Sequence, residues 1–129
     1  PLMPSTHHLI NGETLGLMRD GVFIVNTSRG ALIDTEAAVA GIKTGRIGGL
    51  ALDVYEEESE LFFDDHSDHI IQDDVFMRLT TFPNVLITGH QAFFTREAMS
   101  NISDTTLSNL SDFDAGRECP NLVKVKPKA

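Results

Sequence analysis

Cysteine is almost missing from this sequence: Cys119 stands alone among 129 residues. A single thiol cannot close an internal disulfide, and no metal-ligand spacing surrounds it. The chain therefore reads as a protein of a reducing compartment, with Cys119 a small apolar residue near the C-terminus. Positive charge is scarce as well. Ten Lys+Arg face nineteen Asp+Glu, for a formal net charge of -9. That is the wrong sign for gripping a phosphate backbone or an anionic lipid surface, so neither nucleic acid nor membrane is expected as a partner. No apolar run approaches the roughly 20 residues of a membrane-spanning helix, and no charged-then-apolar leader opens the chain. A soluble, cytoplasmic protein is expected. The first residue is Pro1, with neither a Met nor a strand before it, which reads as a piece of a longer polypeptide.

With 41% hydrophobic residues, the chain can bury one ordinary core. Three short runs rich in β-branched residues, at 22–25, 47–54 and 84–88, read as strands. They are nearly continuous rather than alternating, as in parallel strands covered on both faces. Between the first two, Asp34 is placed to cap a helix over TEAAVAGIKTG, which Gly45 stops. Strand, helix, strand is the crossover unit of an α/β sheet. Upstream, Asn11 can cap a helix over GETLGLMRD that Gly21 ends.

From 56 to 74 the sequence turns acidic and polar around Leu61, Phe62 and Phe63, an excursion of a length usually reserved for function or for contact with another element. A last helix is predicted from Thr95 or Arg96 to about Phe113. Ala98, Met99, Ile102, Thr106, Leu107 and Leu110 form its apolar stripe, read as core. The closing KVKPKA reads as a solvated terminus.

Ligands of open α/β sheets bind beyond the carboxyl ends of the strands. The three strands are followed there by Thr27-Ser28-Arg29-Gly30, by Asp53 with Glu56, Glu57 and Glu58, and by Gly89-His90. An arginine, a carboxylate and an imidazole thus share one edge. Guanidinium clamps a carboxylate through two parallel hydrogen bonds, and imidazolium donates a proton to a carbonyl oxygen as hydride reaches its carbon. A carboxylate beside the histidine favours the charged ring. Spacing does not choose among the three glutamates. Gly30, Gly48 and Gly49 fit either a close backbone approach by a ligand or tight packing. His7, His8, His66 and His69 lack strand-end placement and read as surface histidines, and no metal is expected.

The string VNTSRGALIDTEAAVAGIKTGRIGGLALDVYEEE, with NVLITGHQAFFTREAM downstream, closely resembles the signature regions of D-isomer-specific 2-hydroxyacid dehydrogenases. The loop ELFFDDHSDHIIQDDVF and the run GHQAFF resemble most the fermentative D-lactate dehydrogenases of that family. The resemblance covers essentially the whole chain. It implies a partial doubly wound, Rossmann-like parallel sheet with flanking helices. Residues 1–93 would be the C-terminal half of an NAD-binding domain, and 94–129 a helix and tail returning to the substrate domain.

The same resemblance implies that Arg29 binds the substrate carboxylate and carbonyl, that His90 is the acid/base, and that Glu58 is its partner. Glu56 and Glu57 are then the solvated members of their run. Asp53 would lie by the nicotinamide, Thr27, Ser28 and Arg29 would line NAD, and Pro1 and Thr6 match family positions that touch it. The activity implied is interconversion of pyruvate and D-lactate. Another 2-ketoacid, such as glyoxylate, hydroxypyruvate or phenylpyruvate, is the alternative.

One departure is plain: the G-x-G-x-x-G fingerprint of dinucleotide binding is not among these 129 residues. Taken alone, the chain is then expected to be catalytically inactive and self-associating, and the enzyme a homo-oligomer.

Overall fold

Val, Ile and Leu concentrate where the chain must be extended and buried, and the strands form there. The computed structural model describes residues 1–58, 61 and 70–123. Its strands are β1 (Val22–Asn26), β2 (Ile47–Leu52) and β3 (Val85–Ile87). They make a parallel sheet in the order β1-β2-β3. Among the described residues four α-helices accompany them: α1 (Gly12–Leu17), α2 (Thr35–Lys43), α3 (Asp74–Thr80) and α4 (Arg96–Asp114). A 3-10 turn occupies Gly30–Leu32. The chain divides into two compact units, Pro1–Ala92 and Phe93–Ala129. No helix of the described residues is long and apolar enough to cross a membrane.

Caps read from the sequence are in place. The Asn11 side chain accepts from the N–H groups of Glu13 and Thr14, while the Thr14 hydroxyl accepts from the Asn11 N–H. Asp34 accepts from the Ala37 N–H at 3.0 Å, satisfying one of the donors that a helix start leaves open. Gly45 takes φ +77° just beyond α2, a conformation that costs glycine little. α1 stops earlier than expected, at Leu17, and Gly21 (φ +73°) instead makes the turn into β1.

α3 was hidden from sequence reading because its cap, Asp73, belongs to an acidic stretch and reads as one more solvated charge. In the structure Asp73 accepts from the Phe76 N–H at 2.8 Å and from the Tyr55 hydroxyl at 2.6 Å. Burial and the adjoining Asp73 carboxylate hold the Tyr55 phenol protonated, so it remains a donor.

The core lies on one side of the sheet, where Leu15, Ile33, Ala38, Val39, Ile42, Ile47, Leu50, Leu52, Tyr55 and Leu79 are buried together. β2, in the middle, follows the expected continuous burial. β1 does not. Its residues alternate, with Phe23 and Val25 79% and 71% exposed, because within Pro1–Ala92 the helices of the described residues gather on the opposite face.

The glycines of β2 are there for packing. A Cβ on Gly48 would meet the Gly21 carbonyl oxygen at 2.7 Å, and one on Gly49 would meet the Phe23 ring at 2.5 Å. The β1–β2 register slips between Val22 and Phe23, opposite these glycines, as at a β-bulge.

In the second unit, α4 begins as predicted, with the Thr95 hydroxyl capping the Ala98 N–H. Its apolar stripe is not core, however. No residue of α4 is buried, and Ile102, Leu107 and Leu110 are about half exposed or more, an amphipathic stripe that its own unit does not bury. Phe62, Phe63, His66, His69 and the KVKPKA tail lie outside the described residues.

Leu79 is fully buried between α3 and the sheet, whereas Leu17 is 84% exposed. Leu79→Ala should lower unfolding free energy by about 2–5 kcal/mol. Leu17→Ala should change it by about 0.5 kcal/mol or less. Urea titration of the two variants checks the contrast.

Candidate active site

The exit of β1 is shaped by Asn26, a buried residue that the sequence reading passed over. Its side-chain oxygen accepts from the Ser28 N–H at 3.1 Å, and its amide donates to the Arg29 carbonyl at 2.8 Å. This local turn is one that asparagine forms readily, so the signal was present in the sequence. It leaves Thr27, Ser28 and Arg29 exposed on the strand end. The Arg29 guanidinium donates to the Ser28 carbonyl at 2.7 Å.

Immediately after, Gly30 is buried flush against the next loop. A Cβ there would stand 2.0 Å from the Tyr55 carbonyl carbon and 2.4 Å from the Glu56 nitrogen. Of the two readings of Gly30, tight packing is the one observed. It brings the arginine loop directly against the glutamate loop.

At the exit of β2, Asp53 is 3% exposed. One carboxylate oxygen accepts from the Thr88 hydroxyl at 2.5 Å and from the Gln91 N–H at 2.8 Å, and the other from the Ala92 N–H at 2.8 Å. Its carbonyl accepts from the His90 N–H at 2.7 Å. Burial alone would push the Asp53 carboxyl up. The Thr88, Ala92 and Gln91 bonds, with the nearby His90 charge, outweigh burial and hold it below the ordinary 3.8. His90 sits at φ +53°, a left-handed conformation unusual for a side-chain-bearing residue. The Asp53 contacts enclose it on both sides.

Glu58 and His90 are brought together. The buried Nδ1 of His90 lies 3.2 Å from Glu58 Oε1, and Glu58 Oε2 accepts from the Tyr55 N–H at 3.1 Å. Geometry thus separates the three glutamates that spacing could not. Glu57 is exposed, as expected. Glu56 is not a solvated charge: it accepts from the Thr35 hydroxyl at 2.8 Å and faces His8 Nε2 at 2.5 Å. His8, read as a surface histidine, is accordingly half-buried and paired. A local spacing rule could not pair residues 8 and 56, which meet only through the fold.

At the carboxyl end of the sheet a depression of about 190 Å³ is lined by Val25, Ala51, Leu52 and Leu86 together with Thr27, Asp53 and Thr88, a mostly apolar lining that suits the face of a flat heteroaromatic ring. Thr6, by contrast, closes its own turn: its hydroxyl accepts from the Met3 N–H at 2.8 Å and donates to the Pro1 carbonyl at 2.8 Å.

Residues 1–92 match the model of the D-isomer specific 2-hydroxyacid dehydrogenase NAD-binding domain. Among curated relatives, 2-hydroxyacid dehydrogenase A of Aspergillus oryzae is 59% identical over 121 residues, spanning 94% of this chain and 35% of its own length. The D-lactate dehydrogenase of Escherichia coli is 56% identical over 121 residues, 94% of this chain and 37% of its own. The crystal structure of a Lactobacillus jensenii D-lactate dehydrogenase with NAD+ superposes with a TM-score of 0.86 at 26% identity, covering 97% of this chain and 38% of that one. The chain thus spans a little over a third of the length of these proteins.

Because Asp53 is depressed in the folded protein, its contribution to stability is complete above its ordinary value of 3.8 and is lost as pH falls below it. Asp53→Asn keeps the shape but turns an N–H toward a donor, and should cost about 1–3 kcal/mol at neutral pH. Urea midpoints measured from neutral to acid pH should show the gap between the two proteins narrowing in acid. A gap independent of pH would refute the assignment.

Proposed function

The chain belongs to the D-isomer specific 2-hydroxyacid dehydrogenase family and carries its NAD-binding domain, and from that premise we propose that the whole protein interconverts pyruvate and D-lactate through Arg29, Glu58 and His90. The observation carrying this reading is the Glu58–His90 pair, with Nδ1 of the histidine buried 3.2 Å from the carboxylate. NAD supplies the hydride chemistry.

In the direction of reduction, Arg29 clamps the pyruvate carboxylate through two parallel hydrogen bonds and polarises the adjoining carbonyl. With Nδ1 turned to Glu58, His90 passes its proton from Nε2 to the carbonyl oxygen as hydride adds to the carbon. Glu58 offsets the charge of the protonated ring. Its second oxygen, tied to the Tyr55 N–H, keeps it from turning away. In the direction of oxidation, His90 takes the proton of the lactate hydroxyl. Asp53 would lie by the nicotinamide, Thr27, Ser28 and Arg29 would line NAD, and Pro1 and Thr6 would touch it. Residues 94–129 return to the substrate domain of a homo-oligomeric enzyme.

For these 129 residues by themselves the reading is a non-catalytic, self-associating species, favoured by the open sheet face on which Phe23, Val25 and Leu86 are 79%, 71% and 63% exposed. Exposed apolar surface of that kind favours association.

The full-length protein with NADH should reduce pyruvate, and chiral analysis should find D-lactate. A higher kcat/KM on phenylpyruvate than on pyruvate would reassign the substrate. His90→Gln should lose about 10²-fold or more in kcat, whereas Arg29→Lys should act chiefly on KM for pyruvate. A His90→Gln enzyme of unchanged rate would remove the histidine from the chemistry.

A further inference from the structure

Among the described residues, one group of potential metal ligands stands apart from the Glu58–His90 pair. His7, His8 and Glu56 each present a ligand atom, and these atoms lie within 4.8 Å of one another. Adjacent side chains on an extended chain point to opposite sides. Here the two rings instead stack, 3.9 Å between centroids and 25° between planes, with His8 at φ +50°.

The surroundings hold this arrangement in place. The His8 N–H donates to the Ala31 carbonyl at 2.9 Å, and the His8 carbonyl accepts from the Asn11 side chain at 2.9 Å. Glu56 is oriented too. Its Oε2 accepts from the Thr35 hydroxyl at 2.8 Å and the Thr35 N–H at 3.3 Å, which turns Oε1 toward His8 Nε2. Hydrogen bonding to one carboxylate oxygen, leaving the other for an ion, is how outer-shell groups orient metal ligands. A simple ion pair accounts for His8 and Glu56 but gives no role to the exposed His7 ring laid against them.

The geometry points to a binding site for a borderline divalent cation of the Zn2+ type, with His7 and His8 as imidazole ligands, Glu56 as the carboxylate and water completing the shell. Two nitrogens and one oxygen suit that class of ion better than Mg2+ or Ca2+, which prefer all-oxygen shells. The chain's net charge of -9 favours cations generally. Two ligands of one Zn2+, each at about 2.0–2.2 Å from it, sit farther apart than the 2.5 Å separating His8 Nε2 from Glu56 Oε1. Entry of the ion therefore opens that contact and takes its place.

Co2+ is the probe, since Zn2+ has no visible spectrum. Titrating the full-length protein with Co2+ should give saturable visible bands of imidazole-ligated cobalt, which Zn2+ abolishes by displacement. His7→Ala, a change at an exposed ring, should weaken binding about tenfold or more, and Thr35→Val, which removes the hydroxyl orienting Glu56, about 10–100-fold. Absence of saturable bands, or equal affinity in His7→Ala, would overturn the site. Both readings are independent of lactate turnover, so this site and the dehydrogenase activity stand or fall separately.

Discussion

The Asp53 carboxylate ends β2 buried and turned toward the exit of β3, where a hydroxyl and two backbone N–H groups meet it. Burying an ionised carboxylate costs several kcal/mol after relaxation, and here three charge-assisted hydrogen bonds offset that cost. The arrangement is rigid for that reason. Were the loop at 88–92 to swing away, the carboxylate would remain buried with its partners gone. His90 can therefore hold a left-handed backbone conformation at a position where no glycine relieves it. The residue predicted to sit beside the nicotinamide is, on this geometry, first of all the anchor of the histidine.

A second constraint ties in the remaining loop. Gly30 lies against the Tyr55–Glu56 peptide with no room for a methyl group, so the loop bearing Arg29 and the loop bearing Glu58 share a backbone contact. Tyr55 is in turn bonded through its hydroxyl to Asp73, the cap of α3, and through its N–H to Glu58. Three strand exits far apart in sequence thus behave as one block. Such preorganisation is what proton transfer to a bound carbonyl requires, since small displacements at the reacting atoms are costly in rate.

The sequence exposed whatever depended on local chemistry. Asn11 and Asp34 are cap residues by virtue of their own side chains, and each caps the helix it was expected to cap, while Thr95 caps the helix expected to start there or one residue later. The β-branched runs became strands, and the strand ends put Arg29, the run of three glutamates and His90 on one edge, whereas Glu58 was singled out only by the family resemblance. Relations formed through space were not legible. Glu56 looks like any acid in an acidic run until His8, Thr35 and the turn of the chain bring a ring and a hydroxyl to it. Asp73 vanished into an acidic stretch for the same reason, and α3 with it. The alternating exposure of β1 was missed because a run of Val, Phe and Ile looks the same whether one face is covered or two.

That open face bears on what the 129 residues can do. A parallel strand normally has cover on both sides, and the chain spans only a little over a third of the length of the relatives that share this domain. Phe23, Val25 and Leu86 mark surface for which Pro1–Ala92 supplies no cover among its described residues. The site itself is different in kind. Asp53, Glu58, His90, Asn26 and Gly30 make their contacts within Pro1–Ala92. The Glu58–His90 geometry is thus internal to this unit, whereas the exposed face of β1 and β3 finds no cover among its described residues.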